Sequence, residues 1–319
     1  MNVDDVIKRL IKNLRIEYKQ ASIEMKRKFT EEMKAFKSMD DYWREMVEQG
    51  QRSQQEYVLW RQRQVLRHKR VKAMIDELAV DMSNVNRKAS SIINKQSANV
   101  FSELCNHQMF EIEKDLKVLT AFNLYDKNVV MELGVVPLAR NKVAKDIMWN
   151  KRKIRSAITQ GILQGEDIPK IANRLQSVAR MNNRIATRNA RTFITAAENG
   201  GRQYGMEYAE SIGVKLQKRW LATLDSRTRH SHAILDGETI PLDGKFSNGL
   251  RFPADVGEGN PDETFNCRCS LISVVDGIDM EVDPAKVRRA NKLGGMSYDD
   301  WKAEHRKKWK KEWAKEKVK

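Results

Sequence analysis

The sequence predicts a mainly α-helical protein: long N-terminal helices with the spacing of a coiled-coil arm, then a small α+β domain with a loop-rich β segment, and a basic C-terminal helix. Three observations carry this. Up to Pro137 there is no proline, and Gly50 and Gly134 are the only glycines. Strands need turns and turns need special backbone angles, whereas helices do not. The apolar positions Val71, Ile75, Leu78, Met82, Val85, Ala89 and Ile92 alternate steps of four and three, the spacing of a coiled-coil seam. Three of the six prolines and two of the three cysteines fall within Trp220–Val275, where loop chemistry replaces helical periodicity.

Taken in order, the chain divides into a helical arm (1–136), a basic helical region (137–212), a small β-containing core (213–282) and a Trp/Lys-rich tail helix (283–319). In the arm, Ser38 and Asp41 suit a helix start before Tyr42, and Gly50 suits a helix end. Helices are expected over 150–159 and 169–178, with Asp167 capping the second and Pro169 in its first turn. Arg180, Arg184, Arg188 and Arg191 step by 4, 4 and 3, a basic ridge on one helix face that suits phosphates or an acidic protein. Gly200-Gly201 is expected to interrupt or end that helix, with 204–212 continuing. Beyond Gly213, Val214, Leu216, Lys218 and Trp220 alternate onto one strand face. Leu271–Val275 reads as a second strand, with short strands at 239–240 and 251–252. Asp283-Pro284 and Gly294-Gly295 punctuate the start of the tail. Ser297 with Asp299 and Asp300 suits a last helix start, and Trp301, Trp309 and Trp313 share one broad face of that helix.

Arg140–Arg191 carries 13 Lys/Arg against three acids, and Trp301–Lys319 nine against three. These two stretches account for the whole net charge of +16. Positive charge so localised favours a polyanionic or acidic partner. No apolar run is long enough for a transmembrane helix, and the N-terminus has no signal-peptide core. An odd, small number of cysteines argues against a secreted disulfide framework. Neither a phosphate-cradling glycine loop nor a dinucleotide fingerprint is present.

The reactive side chains concentrate in D-S-R-T-R-H-S-H-A-I-L-D-G (225–237), Pro241-Leu242, F-P-A-D (252–255) and N-C-R-C (266–269). This ordered set resembles the signature of phage minor head, or head-morphogenesis, proteins typified by protein F of phage Mu: roughly D-x-R-T-R-x-x-H, D-G, P, then N-C-R-C. His232 falls on the motif histidine and His230 on a variable position. The resemblance extends upstream through 158–175 and 190–200, covering about 155–275. Where relatives often have Glu after A-R-T, this chain has Phe193.

The resemblance implies a non-enzymatic structural protein of head assembly, without a cofactor. It would associate with the portal, with capsid or scaffolding proteins in the capsid interior, and non-specifically with packaged double-stranded DNA. DNA ejection is a further role open to it. It would reside in the virion, and in the host cytoplasm during assembly. Relatives sometimes carry a C-terminal effector domain; the 44 residues after Val275 are expected to be too few for one.

The alternative is a nucleic-acid-acting enzyme or toxin-like module built on Asp225, His232, Cys267 and Cys269. His232 and the two cysteines suit zinc, with Asp225 or His230 as a fourth ligand. The single residue between the cysteines argues against it, so no metal is expected. The expected role of Asp225, Arg227, Arg229, His232, Asp236, Asn266, Cys267 and Cys269 is structural. Asp225 would be a buried acceptor for Arg227, Arg229 or backbone amides, with His232 and the cysteines packed nearby.

Overall fold

A computed structural model describes residues 1–67, 69–140, 142–278, 287–289, 293 and 295–316. The elements run α1 (Val3–Glu32), α2 (Lys34–Glu48), α3 (Gln54–Arg67), α4 (Lys69–Leu116), β1 (Val118–Thr120), α5 (Lys127–Glu132), α6 (Val143–Leu163), α7 (Ile168–Ser211), β2 (Val214–Leu221), α8 (His230–Ala233), β3 (Thr239–Pro241), α9 (Pro261–Thr264), β4 (Ser270–Ile278), β5 (Val287–Arg289) and α10 (Tyr298–Glu316). The protein is mainly helical, with a small antiparallel sheet late in the chain and a C-terminal helix after it. The chain forms two compact units. One comprises Lys8–Ile92 and Arg140–Thr187; the other comprises Met1–Ile7, Ile93–Ala139 and Arg188–Lys319.

The first unit is all helix. Leu14, Phe29, Leu78, Met82, Ile154, Ile171 and Leu175 form its interior. Of the seam positions in α4, Ile75, Leu78, Met82 and Ala89 are buried and Val71, Val85 and Ile92 are half-buried. A polar knot crosses this core: Asn86 Nδ2 donates to Asp146 Oδ1 (2.9 Å) and Asn182 Oδ1 (2.7 Å), and Asn86 Oδ1 accepts from Tyr18 Oη (2.7 Å). Ser38 and Asp41 do not start a helix, because α2 already begins at Lys34. Asp40 beside them instead pairs with the buried Arg61 at 2.8 Å. Gly50, at φ +71°, follows the end of α2, and Asp167 Oδ1 accepts from Lys170 N (2.8 Å) as a cap.

The second unit carries the sheet, in the order β3-β2-β4, all antiparallel, with a bulge between Lys215 and Leu216. β1 pairs with β5. Val214, Leu216, Lys218 and Trp220 do share the buried face of β2. Lys218 is tolerated there because Nζ donates to the Leu242 carbonyl (2.6 Å) and lies 5.8 Å from the Phe246 ring centre, although burial pushes its pKa down to about 8. Residues 251–252 form a bend, not a strand.

Gly200-Gly201 neither breaks nor ends its helix; α7 runs unbroken through both. These glycines permit close packing instead. A Cβ on Gly201 would lie 2.4 Å from the Phe101 carbonyl oxygen of α4, and one on Gly205 would lie 2.9 Å from that of Cys105.

Ser297 caps α10 by accepting from Asp300 N (3.2 Å). Trp301 is fully buried: its Nε1 donates to Glu113 Oε2 (2.6 Å), and its ring packs on Phe110 and Phe122. Thus one of the three tail tryptophans is a core residue. The side chains of Trp309 and Trp313, like Asp283-Pro284 and Gly294, lie outside the described residues.

Candidate functional site

The motif residues converge at the open end of the β2/β4 pair. After β2 the chain turns at Asp225, whose Oδ1 accepts from Arg227 N at 2.8 Å, an Asx-type turn. The same carboxylate takes both guanidinium nitrogens of Arg268, with Oδ1 accepting from Nη2 at 2.6 Å. This arrangement corrects the expectation of a buried acceptor: Asp225 is exposed, and its main side-chain partner is Arg268, the residue between the two cysteines. The Arg268 fork, then the Arg227 amide, hold its carboxyl well below the usual carboxylate range. Arg227 is itself exposed, with Nη2 3.6 Å from Asp225. Arg229 does not bond Asp225 but donates to the Phe265 carbonyl. Asp236 Oδ1 accepts from Ala222 N at 2.9 Å, closing the loop back onto the end of β2.

From Arg229 the chain enters the four-residue α8, which carries His232 into the interior while His230 stays exposed. His232 is 2% exposed, with its ring edge-on to Trp220. Nε2 lies 2.9 Å from Glu263 Oε2. Nδ1 faces both cysteines, 3.7 Å from Cys267 Sγ and 3.5 Å from Cys269 Sγ. Asn266, at φ +55°, makes the turn that brings N-C-R-C in, a left-handed conformation asparagine tolerates better than most residues. Its amide donates to Thr192 Oγ1 at 3.0 Å. The thiols lean on each other: Cys267 donates to Cys269, lowering the Cys269 pKa and raising that of Cys267, which burial raises further.

Sequence reasoning singled out neither Glu263 nor Asn199. Glu263 sits in N-P-D-E-T, where Asn260 caps the short α9 and Pro261 occupies its first turn. That helix-start pattern was the available signal for an ordered acid opposite the histidine. Asn199, inside α7, bonds the backbones of Pro253, Cys269 and Leu271. No local pattern marks it.

Arg180, Arg184, Arg188 and Arg191 are all exposed on α7. Arg188 lies 4.5 Å over the Phe265 ring. Arg191 lines a cavity of about 450 Å³ together with Thr195, Glu198, Arg202, Cys267 and Arg268.

Residues 152–272 match the family described as Phage Mu protein F like protein, a span that contains every motif residue from Asp225 to Cys269. This stretch is a Mu F-like region. The chain is 33% identical over 159 residues to the minor head protein of Bacillus phage SPP1, covering 46% of this chain and 49% of that protein. It is also 26% identical over 246 residues to an NAD(+)–arginine ADP-ribosyltransferase of Enterococcus faecalis, covering 74% of this chain and 49% of that one. An uncharacterised protein of Haemophilus influenzae is 29% identical over 162 residues, half of this chain and 33% of that one. The chain therefore spans about half, or less, of the curated relatives it matches. No solved structure matches it. No described helix is long and apolar enough to cross a membrane.

Proposed function

We propose that the chain is a structural minor head protein of a phage particle, working by contacts with portal, capsid or scaffolding proteins and with packaged DNA rather than by catalysis. One observation carries the reading: within the Mu F-like region, the motif side chains are used as ties between loops. Asp225 holds Arg268, Arg229 holds the Phe265 carbonyl, Asp236 holds Ala222, and His232 is sealed among Glu263 and the cysteines. The minor head protein of phage SPP1 among the relatives supports the same reading. The exposed arginines of α7 and the basic tail suit a phosphate backbone. Location in the capsid interior, after assembly in the host cytoplasm, follows from this role.

Mass spectrometry of purified particles tests the proposal and should find the chain as a low-copy component. Its absence from particles that assemble while it is expressed would overturn the reading. The relative named as an arginine ADP-ribosyltransferase motivates the second reading, an enzyme. Incubating the full chain with NAD and an arginine acceptor should give no ADP-ribosyl product; turnover would favour the enzyme instead.

A further inference from the structure

We infer that His232, Cys267 and Cys269 form a binding site for a soft divalent metal ion, zinc by chemical class, that fastens the N-C-R-C segment to α8. The three ligand atoms lie within 4.8 Å of one another, and all three residues are buried. Zinc bound at about 2.3 Å to sulfur and about 2.0 Å to nitrogen in a tetrahedron places sulfur about 3.5 Å from nitrogen. The two separations here are 3.5 and 3.7 Å. The single-residue spacer, which argues against zinc in the sequence alone, is accommodated. Residues 267 and 269 lie just before β4, where extended backbone turns alternate side chains the same way, and the left-handed turn at Asn266 presents both sulfurs to one ring nitrogen.

The surroundings match a metal-ligating histidine in a second respect. Its other nitrogen meets a carboxylate, Glu263, at 2.9 Å, the arrangement that fixes which ring nitrogen is free to bind metal and raises its basicity. On binding, each thiol releases its proton to solvent. The two thiolates then balance the divalent charge, so a neutral group occupies the buried position. Among the described residues, no fourth His, Cys, Asp or Glu joins the three. The fourth position is thus open to water or a small ligand, and Cys267 borders the 450 Å³ cavity.

The test loads the full chain with zinc, removes unbound metal and measures metal content, then repeats this with cobalt. The expected result is one zinc per chain and a cobalt spectrum showing tetrahedral geometry with thiolate-to-metal charge transfer. Cys267→Ser and Cys269→Ser should each abolish the charge-transfer band or halve it. Glu263→Gln leaves the ligands in place and should weaken affinity roughly 10- to 100-fold while the helical circular dichroism is unchanged. A folded wild-type chain with well under one zinc and no cobalt band would overturn the site. So would stoichiometric metal that survives both serine substitutions.

Discussion

Asn199 Oδ1 accepts from Leu271 N at 2.8 Å while Asn199 Nδ2 donates to the Cys269 carbonyl at 3.0 Å, so one helical side chain grips both sides of Ser270 at the start of β4. Nδ2 also reaches the Pro253 carbonyl at 3.0 Å, and the side chain is fully buried. Asn199→Ala strands three backbone groups away from water. Each carries a desolvation penalty of about 1–3 kcal/mol, and a net loss of about 3 kcal/mol or more is expected by denaturant unfolding. Asn199→Asp keeps the acceptor but turns an anionic oxygen on two carbonyls, so it should be at least as damaging. Loss from Ala alone, with Asp tolerated, would show that the donor contacts contribute nothing.

The arm and the motif were legible for different reasons. Helical periodicity and the lack of turn residues are local properties, so the long helices, the Gly50 break and the Ser297 cap could be read directly. The alternation that placed Lys218 beside Trp220 on a buried face is local too. What could not be read depends on partners distant in sequence. Asp225 makes its short bonds to Arg268, 43 residues away, while the guanidinium of the neighbouring Arg227 stays 3.6 Å off. Glu263 reaches His232 only because α9 and α8 fold together. Gly201 looked like a break because composition records the missing side chain and not the helix lying against it.

Gly201→Ala separates these two uses of glycine. In an exposed helix the change would gain about 1 kcal/mol of helix propensity. Here the methyl would meet the Phe101 carbonyl oxygen at 2.4 Å, a backbone atom that cannot rotate away. The expected outcome is a loss of about 3 kcal/mol as α7 is pushed off α4. Gly295→Ala is the control, because among the described residues nothing lies within 4 Å of the added carbon; it should shift stability by less than about 0.5 kcal/mol. A neutral or stabilised Gly201→Ala protein would show that the two helices are not packed this closely.

The Asp225–Arg268 pair is exposed, so its contribution should be small and screened by salt. The sign of its pH dependence follows from the lowered carboxyl pKa. A group depressed in the folded state stabilises fully above its unfolded pKa of about 4, and that contribution is lost as pH falls through the folded value. The melting temperatures of wild type and Asp225→Asn should therefore differ most at neutral pH and low salt. They should converge as the solution is acidified below about pH 4, and also at high salt. A difference that persists unchanged in both conditions would point to the Asx turn, not the ion pair.

The arginines of α7 should differ in what their removal costs. Arg188 covers the Phe265 ring, so Arg188→Ala should lower stability by about 0.5–2 kcal/mol. Arg180→Ala and Arg184→Ala remove exposed charges and should leave unfolding within about 0.5 kcal/mol of wild type. Duplex binding is expected to follow the charges instead. Log affinity should fall linearly with log salt, by about 0.9 for each phosphate contacted, with no preference among sequences. Each lost phosphate contact should flatten the slope by about that amount, so the quadruple Arg180/Arg184/Arg188/Arg191 alanine variant should bind weakly with a shallow slope. If this variant still binds with wild-type affinity and slope, the ridge does not contact DNA, and its four exposed arginines point to an acidic protein partner.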